Sequence, residues 1–121
     1  MDFNIQNVYE IIRSTIPEDW DKVIIYSRCV PGMQESDFYV KGQYKDYVNC
    51  FELCEDEVTI VNVLLQLSGY INNCKELSGS DDRTATIILK SNGTFEMVID
   101  YNEDRLTDSE YKSKWKADYL V

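Results

Sequence analysis

A single helix-length apolar stripe, with β-rich runs on both sides of it, determines most of what can be predicted about this fold. Across residues 56–78, apolar side chains recur at spacings of three and four, which is the period of one helix face. Glu55, Asp56 and Glu57 stand at its start, where the positive end of the helix dipole favours carboxylates. Gly79 fits a helix stop. We therefore predict a long, core-facing helix over residues 56–78.

Three segments before this helix are predicted strands. They cover residues 22–30, 36–42 and 44–53, and they are rich in β-branched and aromatic side chains. Pro31 and Gly32 stop the first of them. Three strands in succession predict an antiparallel meander.

Two more strands are predicted after the helix, over residues 84–89 and 94–101. The dipeptide Asn92-Gly93 lies between them. It is a strong hairpin signal between two β-rich runs, because both residues tolerate positive φ. These two strands are therefore expected to pair with each other.

The N-terminal segment is predicted to be a helix. Its apolar side chains form one stripe over residues 5–16. Asp2 or Asn4 is expected to cap it. Pro17 is expected to end it, because a residue before proline is pushed out of the helical region.

The C-terminal segment opens with Thr107 and Glu110, which have the spacing of a capping box, and a short helix is predicted over residues 108–117. The full order is helix, three strands, helix, two strands, helix. This order predicts an α+β fold with a mostly antiparallel sheet and helices packed on it. A chain of 121 residues is expected to form one domain, spanning residues 1–121.

The charge balance restricts the class of partner. There are 22 acidic and 12 basic side chains, so the formal net charge is −10. Phosphates and anionic membranes repel such a chain, and we predict neither nucleic acid nor membrane as a partner. A basic partner, a cation or no partner remain open, since an acidic surface also keeps a protein soluble. No secretory signal or membrane-spanning stretch is visible, which favours the cytoplasm.

The sequence lacks the residues that several kinds of catalytic and metal site require. The chain has no histidine and no phosphate-binding glycine motif, so we predict that it is not an enzyme and takes no cofactor. Its four cysteines lack the two close pairs of a zinc site and are better interpreted as buried, reduced thiols. A hydrolase that uses carboxylates and a metal ion remains an alternative, although solvated loops explain each acidic run.

The nine tyrosines are the other unusual feature of the composition. Several of them, including Tyr39, Tyr44 and Tyr47, lie on predicted strands. Tyrosine offers a large contact area and a polar tip at protein interfaces. The alternative is that these side chains form cross-strand pairs on a half-buried sheet.

Three short motifs follow one another along the chain. They are Ile16-Pro17-x-x-Trp20-x-x-Val23-x-x-Tyr26, then Leu89-x-x-x-Gly93-x-Phe95 with Ile99-Asp100-Tyr101, and finally Trp115-x-x-x-Tyr119-Leu120. In this order they resemble the YezG-like immunity (antitoxin) family, over both ends of the chain. The resemblance implies a cytoplasmic protein that binds and neutralises a toxin of bacterial competition, typically a nuclease.

An acidic inhibitor of this kind can cover the basic surface that a nuclease uses for phosphates. The hypothesis is therefore an immunity protein that blocks the active site or substrate groove of a basic nuclease toxin. Its oligomeric state is left open. A non-inhibitory adaptor or chaperone for a secreted protein is the alternative. The expected partner-binding residues are two acidic clusters and a set of exposed tyrosines, namely Asp100, Glu103, Asp104, Glu55, Asp56, Glu57, Tyr39, Tyr44 and Tyr47.

Overall fold

The computed structural model describes residues 2–42, 45–74 and 82–121, and these form four helices and one five-stranded antiparallel sheet. The predicted α+β class and the predicted order of elements are confirmed. The long helix ends at Asn73 rather than at residue 78, because Cys74 already has an extended backbone, and Gly79 lies outside the described residues. The elements are α1 (Ile5–Ile12), β1 (Trp20–Val30), β2 (Met33–Gly42), β3 (Tyr47–Asn49), α2 (Cys50–Leu53), α3 (Glu57–Asn73), β4 (Arg83–Lys90), β5 (Phe95–Tyr101) and α4 (Asp108–Tyr119).

The strands lie in the order β3-β2-β1-β4-β5, so β1 is central and β3 and β5 form the edges. Gly32, in the β1–β2 turn, has a φ of 81°, which glycine adopts without steric cost. The β4–β5 hairpin is confirmed, but only Gly93 takes a positive φ there, of 90°. Asn92 instead accepts hydrogen bonds from the backbone N–H and the hydroxyl of Thr94.

Helices cover both faces of the sheet. The face under α1 and α3, called the α3 face, holds the main apolar core, and the opposite face, called the α4 face, packs against α4. Successive residues of a strand point to opposite faces, so each strand contributes to both layers. The sheet side chains buried on the α3 face are Val23, Ile25, Phe38, Val40, Ala85, Ile87 and Leu89. Those buried on the α4 face include Ile24, Tyr26 and Tyr39.

Two other predicted elements are too long. The first helix ends at Ile12 rather than before Pro17, and the Thr15 hydroxyl donates to the Ile12 carbonyl at this end. The predicted strand 44–53 is a strand only from Tyr47 to Asn49. The Asn49 side chain then accepts from the N–H of Phe51 and caps the short helix α2, because asparagine is a favoured N-cap.

The predicted N-terminal caps of α1 and α4 are confirmed. Asn4 caps α1, and Thr107 and Glu110 form the predicted capping box of α4. No helix among the described segments is both long enough and apolar enough to cross a membrane.

Candidate protein-binding site

A cleft of about 320 Å³ lies where β5 leads into the loop before α4. A second space of about 170 Å³ continues it between β5 and α4. We call the two together the acidic cleft, because four carboxylates line them. These are Asp100, Glu103 and Asp104 of the predicted cluster, and Asp118 of α4.

The loop between β5 and α4 is held by the side chain of Asn102. Its amide nitrogen donates to the carboxylate of Asp82 and to the carbonyl of Leu106, each at 2.9 Å. Its amide oxygen accepts from the Leu106 N–H at 2.9 Å. One side chain therefore joins both ends of the loop to the start of β4, and Glu103 and Asp104 are exposed on a fixed backbone.

Arg28 anchors the same loop from the centre of the sheet. Its guanidinium is 3% exposed and donates two hydrogen bonds to Asp82, at 2.9 and 2.8 Å. A third donor reaches Asp108, at the start of α4, at 2.6 Å. The hydrogen bond from Arg28 lowers the pKa of Asp82, with a smaller contribution from Asn102. The guanidinium also lies 4.7 Å from the ring centre of Tyr111.

The backbone of this loop contains one unusual conformation. Arg105 has a φ of 52°, in the left-handed region that non-glycine residues rarely adopt. The Arg105 N–H donates to the carbonyl of Asn102, and the Glu103 N–H donates to that of Tyr101. These tight turns bring the carboxylates of Glu103 and Asp104 to the rim of the cleft.

Helix α4 forms the other wall of the cleft, and polar contacts fasten it to the sheet. The Trp115 indole N–H donates to the hydroxyl of Thr86 at 2.9 Å. The Tyr119 hydroxyl donates to Asp100 at 2.7 Å, and burial together with that carboxylate raises the pKa of Tyr119 to about 12. Asp100 therefore already has one partner, whereas Glu103 faces solvent.

A second ion-pair group holds the far side of α4. The Lys112 ammonium donates to Glu35 at 2.8 Å and to the buried carboxylate of Asp37 at 3.0 Å. Burial opposes the charge on Lys112, but these two carboxylates outweigh that effect and raise its pKa. Asp37 also accepts from Asn49 and Tyr39. Lys112 thus ties α4 to Glu35 and Asp37 of β2, and Asp37 in turn is bonded to Asn49 of β3.

Two charged residues of the cleft were not among the predicted site residues. Lys114 has its ammonium 3.9 Å from a carboxylate oxygen of Asp104, and both side chains are largely exposed. Asp118 follows Lys114 by four residues, a spacing that places both on one helix face. The helical spacing of Lys114 and Asp118 was visible in the sequence, but their position beside β5 was not. Exposed pairs of this kind are weak, so Asp104 remains available to another cation.

The second predicted acidic cluster lies elsewhere. Glu55, Asp56 and Glu57 are exposed at the start of α3, next to α2, which packs on β2 and β3. This is the edge of the sheet opposite β5. Asp56 is the N-cap and accepts from the N–H of Val58 and the hydroxyl of Thr59. The two clusters therefore cannot form one continuous acidic patch, and Asp56 has a structural role.

Exposed apolar side chains accompany both clusters. On α3, Val58 and Leu65 are 67% and 65% exposed. On β5, Phe95, Met97 and Tyr101 are 41%, 38% and 51% exposed. Of these β5 residues, Tyr101 lines the acidic cleft.

The prediction that Tyr39 is exposed is wrong, because it is 5% exposed and packs against Trp115 on the α4 face. Burial raises the pKa of its hydroxyl to about 12. Tyr47 is half-buried against the same cluster. Tyr44 lies outside the described residues. Tyr101, which was not among the predicted partner-binding tyrosines, is instead the exposed aromatic residue next to the cleft.

Among the cysteines, Cys50 and Cys74 are buried. Burial raises the pKa of Cys50 to about 12, so it stays protonated near neutral pH. Cys29 and Cys54 are only partly buried, which differs from the prediction of buried thiols. Within residues 2–42, 45–74 and 82–121, no three histidine, cysteine or acidic side chains are grouped so that they could hold a metal ion.

The chain matches no known protein-family model and no curated protein. The resemblance to YezG-like immunity proteins therefore rests on its three motifs alone and stays a prediction.

Proposed function

We propose that this protein is a cytoplasmic immunity protein that binds a basic nuclease toxin domain at the acidic cleft. The observation that carries the proposal is the placement of four carboxylates around one cleft, with Glu103 and Asp104 on a loop that Asn102 and Arg28 hold in place. Carboxylates at fixed positions can take the places of phosphates on a basic surface. Little conformational entropy is lost on binding when the loop is already ordered.

The net charge of −10 supports the same function at longer range. An acidic protein attracts a basic domain before contact, and it repels nucleic acid that competes for that domain. The exposed ring of Tyr101, beside the cleft, adds an aromatic contact of the kind enriched in binding hot spots.

The direct test is co-expression with the toxin domain encoded next to this chain. The wild type is expected to restore growth and to purify as a stoichiometric complex. The variant Glu103→Lys/Asp104→Lys is expected to weaken binding by at least about tenfold, because it places two cations against a basic partner. Affinity is measured by titration calorimetry with the purified domains.

A matched control separates the cleft from net charge alone. The variant Glu55→Lys/Glu57→Lys makes the same change in charge at the opposite edge of the sheet, and it is expected to have a much smaller effect. Lys114→Gln removes the cation beside Asp104 and is expected to tighten binding. Equal losses from both double variants would contradict a specific role for the cleft. Binding without rescue of growth would favour the adaptor function instead.

A further inference from the structure

Strand β5 is an edge strand whose outer side is unpaired within the described residues. Backbone hydrogen bonds join Lys90 to Thr94 at one end of the β4–β5 ladder and Asn102 to Asp82 at the other, with N···O distances of 2.9 and 3.1 Å. Hydrogen-bonded positions alternate along an antiparallel strand. The N–H and C=O groups of Met97 and Ile99 therefore point away from β4, and no described group bonds to them.

The two faces of this edge differ in chemistry. Asp100 lies on the α4 face, since Tyr119 of α4 donates to it, and the alternation of the strand places Glu96 on the same face. Phe95, Met97 and Tyr101 lie on the α3 face and are substantially exposed. The free edge thus presents carboxylates on one face and apolar side chains on the other.

A second copy of this chain does not fit the edge well. In the antiparallel register with the most pairs, Met97 lies opposite Ile99, and Glu96 of each copy lies opposite Asp100 of the other. Like charges directly opposite each other destabilise a strand pair. Both copies also carry the same net charge of −10. Charged side chains on an edge are a common means of preventing self-pairing.

We propose that β5 accepts an added strand from a basic partner, in which lysine or arginine alternates with apolar residues. The basic side chains lie opposite Glu96 and Asp100, and the apolar ones lie opposite Met97 and Ile99. Backbone hydrogen bonds supply affinity in this mode, and the alternating side chains supply specificity. The inference rests on the proposed function, because it takes the toxin domain as the source of that strand.

A synthetic peptide tests the edge without the toxin. The probe is Val-Lys-Val-Lys-Val-Lys-Val with blocked ends, and its counterpart carries glutamate at each lysine. The lysine peptide is expected to bind at least about tenfold more tightly, since only its charges complement Glu96 and Asp100. Binding is followed by nuclear magnetic resonance, and the amide signals of Met97, Ile99 and Tyr101 are expected to shift most.

N-methylated peptides give the matched control. In the proposed register, the valine N–H groups face β5 and the lysine N–H groups face solvent. Methylating the valine nitrogens is expected to abolish binding, whereas methylating the lysine nitrogens is expected to preserve it. Equal binding of the two methylated peptides would overturn strand addition and leave simple charge attraction.

A variant of the protein tests whether the β5 edge binds the toxin domain. Met97→Pro removes one N–H that points away from β4. An edge strand tolerates proline at such a position, and Met97→Leu is the control. Loss of toxin affinity in the proline variant alone supports strand addition.

If Met97→Pro binds normally while Glu103→Lys/Asp104→Lys does not, the proposed function stands and strand addition is wrong. If the proline variant does not fold, strand addition is tested by the two methylated peptides alone. If the peptides discriminate but no toxin is neutralised, the proposed function fails.

Discussion

At the scale of single residues, the buried guanidinium of Arg28 connects the core to the acidic cleft. It pairs with Asp82, and Asp82 in turn holds Asn102 and the loop that carries Glu103. A buried cation is costly unless its donors are satisfied, and here carboxylates of two different segments satisfy them. The position of the cleft therefore depends on an ion pair that does not itself line the cleft.

The Asp82 carboxylate makes stability sensitive to acid. Its pKa is lowered in the folded protein, so its contribution is complete above the ordinary value of 3.8 and is lost as the pH falls through the lower, folded value. Asp82→Asn is expected to reduce the free energy of unfolding by about 2 kcal/mol at neutral pH, the scale of a hydrogen bond to a charged group. The difference from wild type is expected to narrow as the pH falls below 3.8.

Urea unfolding at a series of pH values measures this difference. Asp104→Asn, at an exposed position, is the control and is expected to show little difference from wild type at any pH. A constant gap between Asp82→Asn and wild type across the acid range would contradict the assigned role of the Arg28 ion pair.

At the scale of elements, α4 is a largely polar helix that nevertheless covers a sheet face. Tyr111, Trp115 and Tyr119 recur every four residues and supply its buried stripe. The ring centres of Trp115 and Tyr26 lie 4.9 Å apart in an edge-on arrangement. Ion pairs at Asp108 and Lys112 fix the helix along its length. The docking of α4 thus combines aromatic packing with polar contacts.

The capping box at the start of α4 is the simplest part of this docking to test. Thr107→Ala removes the hydroxyl that accepts from the Glu110 N–H, and it is expected to lower the free energy of unfolding by about 1 kcal/mol. Ser113→Ala, at an exposed position within α4, is expected to change it by a few tenths at most. Thermal unfolding followed by circular dichroism compares the two variants. Equal effects would contradict the capping role.

Much of the element order could be predicted because its signals are local. The Asn92-Gly93 hairpin and the Thr107 cap depend only on neighbouring residues, and both are confirmed. The end of α1 at Ile12 could not be predicted in this way, since Pro17 limits a helix but does not require it to continue that far.

The site was less predictable, because burial is decided by contacts between distant segments. The exposure of Tyr39 depends on whether a second helix layer covers β2, and the polar sequence of α4 does not reveal that it does. The acidic residues Asp100, Glu103 and Asp104 were identified together because they are close in the chain. Asp118 joins them only through the packing of α4 beside β5.

At the scale of the whole molecule, the net charge of −10 is expected to control the rate at which a basic toxin domain is captured. Raising the salt concentration from about 0.01 M to about 0.5 M is expected to slow association at least tenfold and to change dissociation much less, because salt screens long-range attraction more than close contacts. Stopped-flow fluorescence measures both rates. An association rate independent of salt would contradict electrostatic attraction.

The pairing of β1 with β4 has a consequence for how the chain folds. The other strand pairs join neighbours in sequence, whereas this one brings together residues such as Arg28 and Asp82, which are 54 positions apart. Closing so long a loop lowers the chain entropy before the contacts between the two strands can stabilise it. The two hairpins on either side are therefore expected to form early and to meet late. Pairing of β1 with β4, which α3 separates along the chain, is then expected to be the step that sets the folding rate.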